Sequence, residues 1–136
     1  MDTFYIITNC QKDPDLETAQ AIQSIWKKRV RPANIQSNEA GDNGGAYKYT
    51  DASRVPDEVE CVLVIGGDGT LLQAARDLVE RQLPLLGINM GTLGYLAEID
   101  RKSICPALEK LITGEYSIEH RMMLCGSACH QNRKML

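Results

Sequence analysis

The chain has 136 residues, with 15 Lys and Arg against 18 Asp and Glu and a net charge of −3. That length fits one compact domain able to bury a core. The acidic balance argues against a nucleic-acid or anionic-membrane surface, since either calls for a basic excess. A composition of 43% hydrophobic and 24% charged residues is that of a globular protein and excludes disordered or collagen-like chains. No apolar run nears the roughly 20 residues of a membrane span. Met1-Asp2-Thr3-Phe4 lacks the basic n-region of a secretory signal.

Residues 3–8 (TFYIIT) are aromatic and β-branched and predict a first strand. Asp13 stands where an N-cap belongs, with Pro14 at the first helical position. Leu16, Ala19, Ile22, Ile25 and Trp26 then recur at helical spacing to about Arg29, and Pro32 bars continuation. Lys27, Lys28, Arg29 and Arg31 read as cations at a helix C-terminus, where the dipole favours them. Residues 39–54 are polar and glycine-rich and predict a loop, with a short strand at 46–49.

The run 61–65 (CVLVI) is continuously apolar, as a central parallel strand covered on both faces should be. Gly66-Gly67-Asp68-Gly69-Thr70 breaks it, and Leu71, Leu72, Ala75, Leu78 and Val79 resume a helical period. Residues 85–88 (LLGI) predict a second buried strand, followed by the loop 89–96 (NMGTLGYL). A helix is expected over 103–113, ended by Gly114, then strands at 116–119 and 122–129 that hold His120 and His130 as surface residues. This alternation predicts a three-layer, Rossmann-like α/β domain with a mostly parallel sheet.

The five cysteines (Cys10, Cys61, Cys105, Cys125, Cys129) are odd in number and irregularly spaced, which fits reduced thiols and a cytoplasmic protein. Cys125, Cys129 and His130 lack a further ligand at finger-like spacing, so no metal site is read from them. Ligands of parallel α/β sheets collect beyond the carboxyl ends of the strands. Both glycine-rich segments fall at that edge, and the 21 positions from Asp68 to Asn89 fit one helix and one strand returning to it. Gly66 and Gly67 allow a steep turn with open N–H groups, and Gly69 and Thr70 begin a helix whose N-terminus favours an anion. Asp68 would repel phosphate unless a divalent cation or a hydroxyl awaiting deprotonation offsets its charge, which points to phosphoryl transfer. The helix N-terminus should also keep that carboxylate ionised, with a low pKa. Neither a P-loop nor a G-x-G-x-x-G fingerprint is present.

Residues 64–72 (VIGGDGTLL), 84–98 (PLLGINMGTLGYLAE) and 116–124 (YSIEHRMML), with Asn9 and Lys12, make the chain resemble the NAD kinase family. Lipid kinases and phosphofructokinases share the GGDGT turn, whereas its combination with INMGTLGYL is far more specific. The resemblance implies transfer of phosphate from ATP, with Mg²⁺ or another divalent cation, to the 2′-hydroxyl of the adenosine ribose of NAD. It implies that Asp68 is catalytic, accepting the hydroxyl proton or helping to hold the cation. Asp68, Gly69, Leu72 and Tyr95 would bind NAD; Gly66, Gly67, Thr70, Asn89, Gly91 and Thr92 would face the ATP phosphates. Tyr95 stands where the family usually has Phe, and Gln73 where some relatives carry a basic residue.

The family has a second, β-rich domain that supplies much of the NAD site and the contacts of a homo-oligomer, a dimer or tetramer. On this reading residues 1–120 are the nucleotide-binding domain and 121–136 the start of the second. The remainder, with its Asn-Asp or Asn-Glu pair, is missing, so the 136 residues alone are expected to be inactive. The alternatives are a lipid or sphingoid kinase domain with the same turn, and a nucleotide-binding fragment without turnover.

Overall fold

The computed structural model describes residues 1–9, 16–27, 34–37, 39–40, 48–91, 94–131 and 133–134. Lys12, the Asp13–Pro14 cap, the basic cluster at 28–31 and Thr92 lie outside the described residues.

Phe4–Thr8 forms β1, Glu17–Lys27 α1 and Asn34–Ser37 β2; Glu39–Ala40 and Lys48–Tyr49 form β3 and β4. Cys61–Gly66 is β5, Asp68–Asp77 α2, Leu85–Asn89 β6, Ile99–Asp100 β7 and Ile104–Thr113 α3. Cys129–His130 and Arg133–Lys134 are β8 and β9. Five strands make one sheet in the order β2-β1-β5-β6-β7, every neighbouring pair parallel. β3–β4 and β8–β9 are separate two-stranded antiparallel pairs.

Period-2 alternation along β1 and β5 builds two cores from single strands. Phe4, Ile6, Cys61, Leu63 and Ile65 pack with Ala19 and Ile22 of α1 and with Ile104, Leu108 and Leu111 of α3. Tyr5, Ile7, Val62 and Val64 turn the other way, against Ala74 and Leu78 of α2 and against Val55 and Val59. Helices thus cover both faces, and the expected three-layer α/β arrangement is the one observed. Full burial of a Leu or Ile side chain such as Leu63 or Ile65 is worth roughly 1.5–3 kcal/mol, so the doubly covered strand β5 anchors the sheet.

Two polar ties fix α2 from its far end. The Arg81 guanidinium donates to the carbonyls of Ala52, Val55 and Pro56 at 3.2, 2.7 and 2.9 Å. The Asp77 carboxylate accepts the Thr50 N–H at 2.7 Å. At its start α2 has Gly67 as N-cap, with no side-chain hydrogen bond capping the first turn.

Three expectations need correction. Residues 116–119 are not a strand, and of 122–129 only Cys129 belongs to one, the start of β8: 115–128 form no ladder, and Tyr116, Ile118, Met122, Met123 and Leu124 are exposed. Alternating apolar residues make a strand only where a neighbour takes up the backbone N–H and C=O groups, and none among the described residues does so here. His120 therefore lies in no strand, while His130 belongs to the hairpin β8–β9; both are exposed, as expected. The third helix begins at Ile104, after a 3-10 turn over Arg101–Ser103 that Asp100 caps by accepting the Ser103 N–H at 3.0 Å. Pro106 sits in its first turn, where a missing N–H costs nothing. The strands β2 and β7 have no counterpart in the sequence reading, and of the strand expected at 46–49 the described part is Lys48–Tyr49.

Candidate active site

Because all five sheet strands are parallel, Thr8, Gly66, Asn89 and Asp100 end at one edge. The chain passes from β1 through α1 to β2 on one side and from β5 through α2 to β6 on the other, with α1 and α2 on opposite faces. The order therefore reverses between β1 and β5, and ligands of open α/β sheets bind at such a switch point. Asn9, just past β1, donates its Nδ2–H to Thr70 Oγ1 at 3.3 Å, and its backbone N–H donates to Ile65 O at 3.0 Å. The backbone bond ties the end of β1 to β5 at the reversal, and the side-chain bond ties it to the first turn of α2.

The first glycine turn is held by packing. Gly66 is buried and paired with Asn89. A Cβ there would stand 2.6 Å from Thr70 Oγ1 and 2.8 Å from Thr70 Cβ, so only glycine lets the strand run this close to the helix. Thr70 is 6% exposed, its oxygen turned to Asn9. Gly69 faces open space.

The second turn closes over the first. Asn89 is buried and its Oδ1 accepts the Gly91 N–H at 3.1 Å, while the Met90 N–H donates to Gly66 O at 3.3 Å. Farther on, the backbone N–H groups of Tyr95 and Leu96 donate to the two oxygens of Asp68 at 2.8 and 3.0 Å. The facing of the two loops, expected from their spacing, is thus a direct contact through Asp68.

That contact corrects the expected cause of the low Asp68 pKa. It is held below the ordinary aspartate value by the Tyr95 and Leu96 N–H groups, with a smaller contribution from Ala97 N–H. The donors come from the second loop, where the sequence pointed to the N-terminus of the helix that Asp68 begins. The carboxylate is partly exposed.

Beside it runs a hollow of about 360 Å³ between α2, β6 and residues 118–123, lined by Leu71, Leu72, Leu86, Leu96, Ile118 and Met123 among others. Asp68 is not in its wall, but Leu71 and Leu72 follow Asp68 by one helical turn, so the hollow starts next to the carboxylate. Leu72 is 54% exposed. Tyr95 is 99% exposed, its ring clear of the hollow's walls. Among the described residues no three His, Cys, Asp or Glu side chains are grouped to hold a metal ion.

Asp68, Gly69, Thr70, Gly66, Gly67, Asn89 and Gly91 are therefore gathered at one sheet edge, with Leu72 and Tyr95 flanking them. Sequence reading placed Gly94 in the second loop without giving it a role of its own, although it presses against Asp68, and did not foresee the bond from Asn9 to Thr70. The first could have been sought in the glycine of the second loop that lies across from the acid; the second had no signal beyond the position of Asn9 after a strand.

A doubly wound parallel sheet with an ionised acid at its carboxyl edge defines the class: an open α/β domain built to take a ligand where the strand order reverses. The sequence model of the ATP-NAD kinase N-terminal domain matches residues 5–116, and the chain belongs to that family. It is similar to the NAD kinase of Lachnospira eligens, 42% identical over 126 residues, which are 93% of this chain and 43% of that one. The NAD kinase of Lachnoclostridium phytofermentans is 40% identical over 124 residues, 91% of this chain and 42% of the relative. That of Azoarcus sp. is 41% identical over 110 residues, covering 79% and 37%. The chain thus spans about two-fifths of the length of the curated relatives it matches.

Proposed function

We propose that the protein to which these residues belong phosphorylates the 2′-hydroxyl of the adenosine ribose of NAD with ATP, giving NADP and ADP. The observation that carries this reading is the ionised, partly exposed Asp68 carboxylate at the switch point, inside the segment that matches the family. The ribose hydroxyl donates a hydrogen bond to Asp68 and attacks the γ-phosphorus. The new O2′–P bond forms as the bond to the β-phosphate oxygen breaks, ADP departs, and the hydroxyl proton moves to the carboxylate or to water. An acid with a depressed pKa is a modest base. In a loose phosphoryl-transfer transition state the proton leaves late, so orientation and charge matter more than basicity.

Gly66, Gly67, Thr70, Asn89 and Gly91 take the phosphate side in this reading, as Thr92 does in the sequence-based expectation. The uncapped first turn of α2 supports it, because unpaired N–H groups at a helix start attract anions. Gly69 and Leu72, with the flanking Tyr95, take the dinucleotide; the open space over Gly69 and the apolar hollow beside Leu72 leave room for it. A divalent cation is read as arriving on ATP. Among the described residues no three His, Cys, Asp or Glu side chains are grouped to hold one, and Asp68 is the acid nearest the reacting hydroxyl in this reading.

No helix among the described residues is long and apolar enough to cross a membrane. We place the protein in the cytoplasm, supported by four free cysteines among those residues, and take it to work as a homo-oligomer, as the family resemblance implies. The isolated 136 residues are read as inactive by themselves, because the relatives are more than twice as long. Nothing in the comparisons favours the lipid-kinase alternative.

Coupled assay of NADP formation tests this. A protein of the relatives' length should turn over NAD, and Asp68→Asn should lower kcat by about 10²–10⁴-fold with little change in NAD binding. Near-normal turnover by Asp68→Asn would remove the acid from the chemistry. Vigorous turnover by the 136-residue chain would overturn the claim that it is inactive alone.

A further inference from the structure

Gly94 is the glycine of the second loop that meets the acid. A Cβ built on it would stand 2.5 Å from Asp68 Cγ and 2.6 Å from Oδ2, and would overlap Oδ1. Real Cβ atoms do not approach that closely, so any side chain at 94 displaces either the loop or the carboxylate. The next two residues are those whose backbone N–H groups hold Asp68, Tyr95 at 2.8 Å on one oxygen and Leu96 at 3.0 Å on the other.

We propose that Gly94, Tyr95 and Leu96 form a backbone clamp that orients the Asp68 carboxylate for the acceptor hydroxyl, with Gly94 as the positioning residue that lets the clamp close. This rests on the kinase reading given above. The two carboxylate oxygens offer four lone pairs, of which the Tyr95 and Leu96 N–H groups take one each and the Ala97 N–H engages another more weakly. A lone pair is left for a hydroxyl, and the plane of the carboxylate is fixed before substrate arrives. Fixing it beforehand removes rotational freedom that would otherwise be lost in the transition state, a loss that appears in kcat more than in binding. The contribution comes from main-chain groups, so no substitution of the Tyr95 or Leu96 side chain reports it; a substitution at Gly94 does.

Two measurements test the clamp. On the 136-residue chain, amide hydrogen exchange at Tyr95 and Leu96 should accelerate about tenfold or more in Gly94→Ala, and at one of the two in Asp68→Asn, whose Oδ1 still accepts while its amide nitrogen cannot. Using both variants keeps the test valid if one of them folds poorly. In the protein of the relatives' length, Gly94→Ala should lower kcat about tenfold or more while KM for NAD stays within about threefold. Wild-type exchange as fast as that of Asp68→Asn at both amides overturns the clamp, and so does a Gly94→Ala enzyme with undiminished kcat. A full-length wild type that forms no NADP overturns the kinase reading instead, and protected amides at Tyr95 and Leu96 would then still support the clamp.

Discussion

The two glycine turns occupy the same edge of the sheet, yet they are held in place by different means. The turn at 66–70 joins a buried strand to a helix, and its shape follows from packing: Gly66 lies against Thr70, Thr70 against Asn9, and β5 between two covered faces. The described part of the turn after β6 is fastened by polar contacts, from Asn89 to Gly91 and from Asp68 to Tyr95 and Leu96. The fold presents the acid, and the acid then gathers the second loop. A site built this way keeps its first half through changes in pH or ligand, whereas its second half answers to the charge on one carboxylate.

The largest stability effect within the first turn should come from Gly66→Ala. Its methyl would stand 2.6–2.8 Å from a Thr70 side chain that is branched and buried, and relief requires moving the start of α2. A loss of about 1–3 kcal/mol is expected, read from the urea midpoint at constant m-value. Next comes Thr70→Val, which keeps the branched shape and removes the oxygen that accepts from Asn9, for about 0.5–1.5 kcal/mol. Smallest is Gly69→Ala. Its Cβ would meet nothing within 4 Å, so the better helix former should stabilise the chain by up to about 1 kcal/mol. Opposite signs at Gly66 and Gly69 would confirm that packing sets this turn. If both substitutions destabilise equally, the turn is held by something other than the contact with Thr70.

The parallel, three-layer α/β arrangement was legible because apolar runs such as 61–65 can be buried only between two layers, and because each helical period separates two of them. The position of Asp68 at the carboxyl edge followed from that alternation alone. Residues 116–129 misled for a complementary reason: alternation reports which side chains share a face, and is silent on whether a partner strand exists. Leu86 and Leu124 both sit in apolar segments, yet Leu86 lies in β6, paired with Leu63 of β5, and Leu124 is 86% exposed. β2 and β7 were missed because NIQS and ID are too polar or too short to stand out. The clamp on Asp68 was hidden because its donors are main-chain N–H groups, and the residue that admits them, Gly94, has no side chain to announce a role.

The sharpest way to separate the two turns is acid. Asp68 has a folded-state pKa below its ordinary value, so its ionised form is favoured by folding. The stability this provides is present in full above the unfolded pKa, about 3.9, and is lost as pH falls through the lower folded value. Asp51, Glu60 and Asp100 are shifted the same way, each by hydrogen bonds from nearby donors, so the whole chain should weaken below about pH 4. Those three hold a 3-10 turn, the N-terminal residues and the start of α3. Asp68 alone among them joins the glycine turns. In Asp68→Asn the fall of urea midpoint with acid should therefore be shallower than in the wild type, while Gly66→Ala should fall parallel to the wild type from a lower start. Parallel slopes for wild type and Asp68→Asn would mean that the second turn does not depend on the charge of the acid, and the contrast between a packed turn and a charge-held turn would be lost.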